Sequence, residues 1–455
     1  MKKMIKQTLA GLALGLMLAG LASAAPAVLA DPLNRNADYQ WFLDDRFGMF
    51  IHFGLYSGAG RHEWVRFREK MSDQDYQKYF DHFDPDLFDA RAWARAAKAA
   101  GMKYVVLTAK HHEGFVLFDS KLTSYKITNT PFKRDLVREY VDAFRAEGLK
   151  VGFYYSLLDW HHPEFTVDGQ HPMRDNEAER QANARRDMRK YAAYLHGQVR
   201  ELLTNYGKID YLWFDFSYTT KDWGWSKGKG AQDWQSDSLV AMIHQLQPWI
   251  IINNRLDIPG GVETPEQYQP RFGGVPSALK LVEECHTLNG SWGYDRDNAG
   301  WKSADSLVRL LVDATSKGDN LLLNVGPNGR GEFDPRARER LAALGEWTRL
   351  HGRAIYGAGP SAWTAPDGAR YTQHGKRLYL HLYTYPAGSI ELDGLGGKVA
   401  YAQFLNDGSE LQFKEAAARN AENNTDTGVS AGAIRLALPA LKPDVLVPVV
   451  ELFLK

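Results

Sequence analysis

Six short runs of this chain are almost continuously apolar, and most of the intervals between them carry a helical pattern. The runs are residues 47–53, 104–108, 151–156, 209–215, 249–253 and 320–325, with a weaker one at 281–287. A strand with one wet face alternates apolar and polar residues, whereas a strand covered on both faces, as in a parallel sheet, does not. In the first interval Trp93, Ala96, Ala97 and Ala100 follow the i, i+3, i+4, i+7 spacing of one helix face, and Gly101 stops the helix. Residues 134–148 and 304–318 repeat that scheme, each ending in Gly, and 176–206 reads as one longer charged helical stretch. Strands alternating with helices over about 300 residues predict an α/β fold, a TIM-like (β/α) barrel. An open doubly wound sheet is the alternative. No G-x-G-x-x-G follows the first strand, so a dinucleotide site has no support.

The pattern changes after residue 355. Residues 377–385 alternate apolar and polar positions, and turn-rich segments such as 386–388 and 393–397 separate further short runs. This predicts a small antiparallel β-sandwich over residues 356–455, after a catalytic barrel over 31–355.

Residues 1–30 read as a secretory leader. Lys2, Lys3 and Lys6 make a basic start, an apolar run follows to about Ala22, and Ala24 and Ala30 each end a small-residue cleavage pattern. The run is short for a membrane span. The expectation is a periplasmic or secreted protein that keeps no membrane contact once the leader is gone. A retained membrane anchor is the competing reading.

Charge narrows the partners. Lys+Arg and Asp+Glu both number 55, so the formal net charge is zero, without the basic excess that nucleic-acid binding needs. The single cysteine, Cys285, excludes an internal disulfide framework and a cysteine zinc cluster.

In a barrel the reactive groups come from the C-terminal ends of strands. Here those ends carry His52, then Lys110-His111-His112-Glu113, then Tyr154 and Tyr155 followed by Asp159-Trp160-His161-His162, then Trp213-Phe214-Asp215, then Asn253-Asn254-Arg255. Asp215 closes an apolar run, where an ionised carboxylate is costly unless partnered. It reads as a nucleophile or general base, or else as a helix cap or buried ion pair. Glycoside hydrolysis needs a second carboxyl group, and Glu266, Glu283 and Glu284 all follow the fifth strand. Spacing does not choose among them. Adjacent His111 and His112 point to opposite faces of a strand, which disfavours joint metal ligation and favours hydrogen bonding to hydroxyls. The 13 Trp suit a sugar site, because Trp and Tyr join an apolar face to a polar handle. Trp64, Trp213 and Trp292 flank polar motifs, and Trp223, Trp225 and Trp234 fall in a loop placed to cover the aglycone side.

Several motifs in order then resemble one family. Phe47-Gly48-Met49-Phe50-Ile51-His52-Phe53-Gly54, His62-Glu63-Trp64, Thr108-Ala109-Lys110-His111-His112-Glu113-Gly114-Phe115, Trp213-Phe214-Asp215, Ser291-Trp292-Gly293-Tyr294 and Leu322-Leu323-Asn324-Val325-Gly326-Pro327 are similar to bacterial α-L-fucosidases of glycoside hydrolase family 29. The resemblance implies a retaining exo-hydrolase that removes terminal α-linked L-fucose from glycans, with neither metal nor cofactor. It implies Asp215 as nucleophile and Glu266 as acid/base, with Glu283 as runner-up. It implies fucose contacts from His52, Glu63, Trp64, His111, His112, Tyr154, Trp213 and Arg255, with Trp292 near the sugar's methyl group. A catalytically silent carbohydrate-binding protein and a metal-dependent barrel hydrolase are the other classes.

Overall fold

A computed structural model describes residues 31–270, 280–417, 419–420 and 422–455, so the expected leader lies outside the described residues. Seven parallel strands form the central sheet: β1 (Phe47–Ile51), β2 (Tyr104–Lys110), β3 (Lys150–Ser156), β4 (Tyr211–Asp215), β5 (Ile251–Ile252), β6 (Glu283–Thr287) and β7 (Asn320–Val325). Their order is β5-β4-β3-β2-β1-β7-β6. Every residue of β1, β2, β4, β6 and β7 is buried, which explains why these runs do not alternate.

The two sheet edges do not face solvent as free edges. Residues 262–267 run between β5 and β6 and pair with both. The Val262 amide donates to the Ile252 carbonyl and the Glu283 amide to the Glu263 carbonyl. Higher up, the Cys285 amide donates to Pro265 and the Gln267 amide to Cys285. This seam takes the eighth place in the ring and closes the barrel. The sequence reading missed it, because the segment is polar, contains Pro265 and is held by isolated bridges.

Helices cover the outside and start where the sequence supplies caps. Asp89, Asp135 and Ser303 cap Ala90–Ala99, Leu136–Ala146 and Ala304–Lys317 by accepting backbone N–H bonds in the first turn. The expected single helical stretch at 176–206 is instead two helices, Glu177–Ala182 and Met188–Asn205. Between them the Asn183 amide bonds the backbone of Val167 in both directions, and Asp187 caps the second helix. Those bonds draw the chain off the helical path.

Beyond the barrel, β8 (Ala369–His374), β9 (Arg377–Leu382), β11 (Val399–Phe404) and β16 (Val449–Leu454) form an antiparallel sheet in the order β11-β16-β9-β8. A second sheet, β10 (Ser389–Leu392), β15 (Ile434–Ala437) and β12 (Phe413–Glu415), packs over it, while β13 (Arg419–Asn420) and β14 (Thr425–Asp426) form a separate ribbon. Leu380 and Leu452 of the first sheet share one buried cluster with Leu392 and Leu436 of the second, which is a sandwich core. The sandwich is tied to the barrel. The indole of Trp347, on helix Pro335–His351, donates to the Val447 carbonyl at 3.1 Å, and Tyr383 donates to Asp313 at 2.9 Å.

Candidate active site

The C-terminal strand ends converge on one pocket, lined by Phe50, His52, Trp64, His111, His112, Tyr154, Trp213, Asp215, Phe216, Glu266 and Trp292. Its empty space, mouth included, is about 430 Å³, at the small end of ligand pockets and suited to one sugar rather than a chain. Nine residues singled out from the sequence meet here. Glu63 and Arg255 stand behind the lining, and Glu283 lies beneath it.

Asp215 is the most constrained group. Tyr154 donates its hydroxyl to Oδ2 at 2.7 Å, and Arg255 donates Nη1 to Oδ1 at 3.0 Å. The following residue, Phe216, has a φ of 74°, a left-handed turn that a bulky residue adopts only under constraint. That turn ends β4 and leaves the carboxyl at the rim. Burial pushes the Asp215 carboxyl up from its usual range, Arg255 pulls it back, and the charge of Glu266 pushes it up again.

Arg255 holds the second carboxyl group as well. Its Nη2 donates to Glu266 and to the Thr264 carbonyl, its Nε donates to Thr264 Oγ1, and its guanidinium lies 4.9 Å from the centre of the Trp213 ring. One guanidinium therefore spans Asp215 and Glu266. The two carboxyl groups are thereby held near each other at the rim. The Glu266 side chain is 35% exposed, so it faces the mouth, where a leaving group and water arrive.

The histidines are set as neutral acceptors. Asn324 donates Nδ2 to the Trp292 carbonyl, so its Oδ1 accepts from His52 Nδ1 at 2.6 Å and His52 Nε2 is left as an acceptor. Burial drives that imidazole down to about 3. Ser156 donates to the Leu158 carbonyl and accepts from His112 Nδ1 at 2.7 Å, which leaves His112 Nε2 as an acceptor 3.8 Å from Asp215 Oδ2. Two acceptors facing each other at that distance form a slot for a hydroxyl donor. Burial also lowers His111 and His112 well below the usual imidazole range.

Glu63 accepts from the Gly293 amide at 2.7 Å and from Ser291 Oγ at 3.5 Å, and burial raises its carboxyl to about 7. It thereby fixes the loop that presents Trp292. Glu283 accepts from Tyr104 at 2.6 Å, Tyr211 at 3.1 Å and the Trp213 indole at 3.2 Å. It is the first residue of β6, as Tyr104 and Tyr211 are of β2 and β4, so it belongs to the bottom layer of the barrel rather than to the rim. Glu284 pairs with Lys317, away from the pocket.

Other rim groups also face elsewhere. Lys110 and Asp159 make a buried ion pair at 3.0 Å, and Asp159 Oδ1 accepts the amides of His161 and His162. Trp234 is fully buried packing, Trp223 is half-buried, and Trp225 is exposed. The sequence reading passed over Phe50 and Phe216 as pocket walls. Phe50 was legible, since it shares a strand face with His52. Phe216 was not, because its place depends on the left-handed turn. Among the described residues no group of three or more His, Cys, Asp or Glu is placed to hold a metal ion, and no helix is long and apolar enough to cross a membrane.

Known proteins are similar to this chain in sequence and fold. The family model described as alpha-L-fucosidase matches residues 24–353. The chain is 32% identical to the plasma alpha-L-fucosidase of Rattus norvegicus over 377 residues, 75% of this chain and 76% of that protein. Alpha-L-fucosidase isoenzyme 1 from Paenibacillus thiaminolyticus superposes with a TM-score of 0.84 at 47% identity, covering 92% of this chain and 98% of that one. A Bacteroides thetaiotaomicron GH29 alpha-L-fucosidase, solved as a covalent intermediate trapped with 2-fluoro-fucosyl fluoride, superposes with a TM-score of 0.78 at 26% identity, covering 95% and 98%.

Proposed function

The chain belongs to the α-L-fucosidase family, glycoside hydrolase family 29, and from that premise we propose which of its residues carry each step. It is a retaining α-L-fucosidase acting on fucosylated glycans. The observation that carries the assignment is the single guanidinium of Arg255 spanning Asp215 and Glu266 at the pocket rim.

Asp215 attacks the anomeric carbon of the fucosyl unit while Glu266 gives its proton to the departing glycosidic oxygen. The C–O bond to the aglycone breaks and a C–O bond to Asp215 forms. Glu266, now a carboxylate, then takes a proton from water, the water oxygen bonds to the anomeric carbon, and Asp215 departs as a carboxylate. Two inversions restore the starting configuration. Tyr154 and Arg255 each hold one oxygen of Asp215, which aims the carboxylate before substrate arrives. His52, His111 and His112 accept from sugar hydroxyls, and Trp64, Trp213 and Trp292 give apolar walls to a 6-deoxy sugar. Burying its methyl group is worth roughly 0.8 kcal/mol.

The test is Asp215→Ala. Turnover of an aryl α-L-fucoside should vanish, and added azide should restore consumption while yielding a fucosyl azide of inverted configuration. Near-normal hydrolysis by this variant would remove Asp215 from the role.

Export to the periplasm or cell exterior is part of the same proposal. Its support is the basic, apolar, small-residue order of residues 1–30, together with the bonds Asp31 makes to the amides of Leu33 and Gly261. N-terminal sequencing of the protein from a secreting host should start at Ala25 or Asp31, and an intact Met1 in the cytosolic fraction would reject it.

A further inference from the structure

We propose that the rim next to the pocket carries an anion-selective aglycone subsite, built on Arg180, Arg174 and Trp225, for fucosylated saccharides bearing a sulfate or carboxylate. The proposal rests on the fucosidase reading and deepens it.

Two chains of contact lead from the pocket wall to this spot. On one side the Trp64 ring lies 5.2 Å from Phe67, and the Arg174 guanidinium sits 3.8 Å above the centre of Phe67. The Arg174 carbonyl accepts from Arg180 Nε, and the Arg180 guanidinium stacks 4.0 Å above Trp225. On the other side Phe216 lies 6.0 Å from Tyr218, which lies 6.1 Å from Trp223, and the Trp223 amide is bonded to the Ser226 carbonyl. Both routes end at the loop that exposes Trp225. An oligosaccharide whose terminal fucose fills the pocket would cross this strip with its next units.

Trp225 is 39% exposed, one of few large apolar side chains so placed among the described residues. An indole open to solvent with a guanidinium over its face offers a sugar a stacking surface and an ionic handle side by side.

Positive charge is in excess there. Asp175 pairs with Lys70 at 2.7 Å and with Arg180 at 3.7 Å, and the Arg174 charge acts on it as well. One carboxylate thus serves three cations. Arg174 otherwise donates to the carbonyls of Phe67 and His171. The neighbouring pairs Arg186–Glu179 and Lys227–Asp222 are balanced, and Glu177, bonded by the neutral amide of Gln181, adds a second carboxylate, so the three cations face two anions. A neutral glycan gives such a surplus nothing to pair with. A sulfate ester or a sugar carboxylate fits the planar fork of a guanidinium through two parallel hydrogen bonds.

The experiment compares kcat/KM on a neutral fucosylated oligosaccharide, on the same compound with one sulfate ester, on the same compound with one sialic acid carboxylate, and on an aryl α-L-fucoside. The wild-type ratio of anionic to neutral substrate should exceed one and fall as NaCl rises. Arg180→Gln should lower that ratio about tenfold. Trp225→Ala should lower both oligosaccharides relative to the aryl fucoside. The separate sulfate and carboxylate arms show which anion the subsite takes. A wild-type ratio of one or below, or a ratio unchanged in Arg180→Gln, overturns the proposal. Failure to hydrolyse even the aryl fucoside would instead defeat the fucosidase reading on which it stands.

Discussion

The indole Nε1 of Trp213 donates to Oε2 of Glu283 at 3.2 Å, from the wall of the pocket down into the barrel. The two residues thereby settle which carboxyl groups stand at the rim. Glu283 accepts three hydrogen bonds in the interior and lines no part of the pocket, whereas Glu266 does.

Glu266→Gly and Glu283→Gln should therefore separate by leaving group. Glu266→Gly should cost about 10²- to 10⁴-fold on a natural glycan, whose poor leaving group needs a proton, and far less on an activated aryl fucoside. Glu283→Gln should lower both substrates by a similar factor, since it disturbs the seating of Tyr104, Tyr211 and Trp213 and not the delivery of a proton. The reverse pattern would move the acid role to Glu283.

Glu283 also predicts a pH dependence of stability. Burial raises its carboxyl to about 7 from an ordinary value of 4.5. The folded chain therefore holds a proton that the unfolded chain releases first. This contribution is fully present below pH 4.5 and is lost as pH rises through 7, on the order of 3 kcal/mol in all. Glu283→Gln should shrink the fall in Tm between pH 6 and pH 8.5. An unchanged slope would show that Glu283 does not titrate in that window.

Arg255→Gln should move the acidic limb of kcat/KM to higher pH. Asp215 must be ionised to attack, burial already raises it, and Arg255 is the main group holding it down. Without the guanidinium Asp215 keeps its proton to higher pH, so activity disappears earlier as pH falls. A limb that stays in place while the rate drops would show that Arg255 acts on geometry alone.

Trp347→Ala should loosen the sandwich from the barrel. The ring is buried, and its N–H is bonded to the Val447 carbonyl. Removing it should cost about 3–5 kcal/mol, read as a lower denaturant midpoint, with KM for an aryl fucoside unchanged. A raised KM would tie the sandwich to the pocket instead.

From the sequence alone all of the ring but the seam at 262–267 was readable, because burial on both faces leaves an apolar run that no half-wet strand would carry. So were His52, His111, His112, Tyr154, Trp213 and Asp215, since a parallel barrel gathers the C-terminal ends of its strands on one rim, and these residues sit at those ends. Tertiary structure alone placed Glu266 at the pocket and Glu283 beneath it. Height along the barrel axis depends on the register between strands, and neighbouring residues in sequence carry no register. Glu283 pairs with Asn320, the first residue of β7, at the bottom of the ring, while Glu266 bridges to Cys285, two residues further up. The seam at 262–267 that lifts Glu266 there is held by backbone bonds to both neighbours, and backbone bonds leave no mark on side-chain pattern.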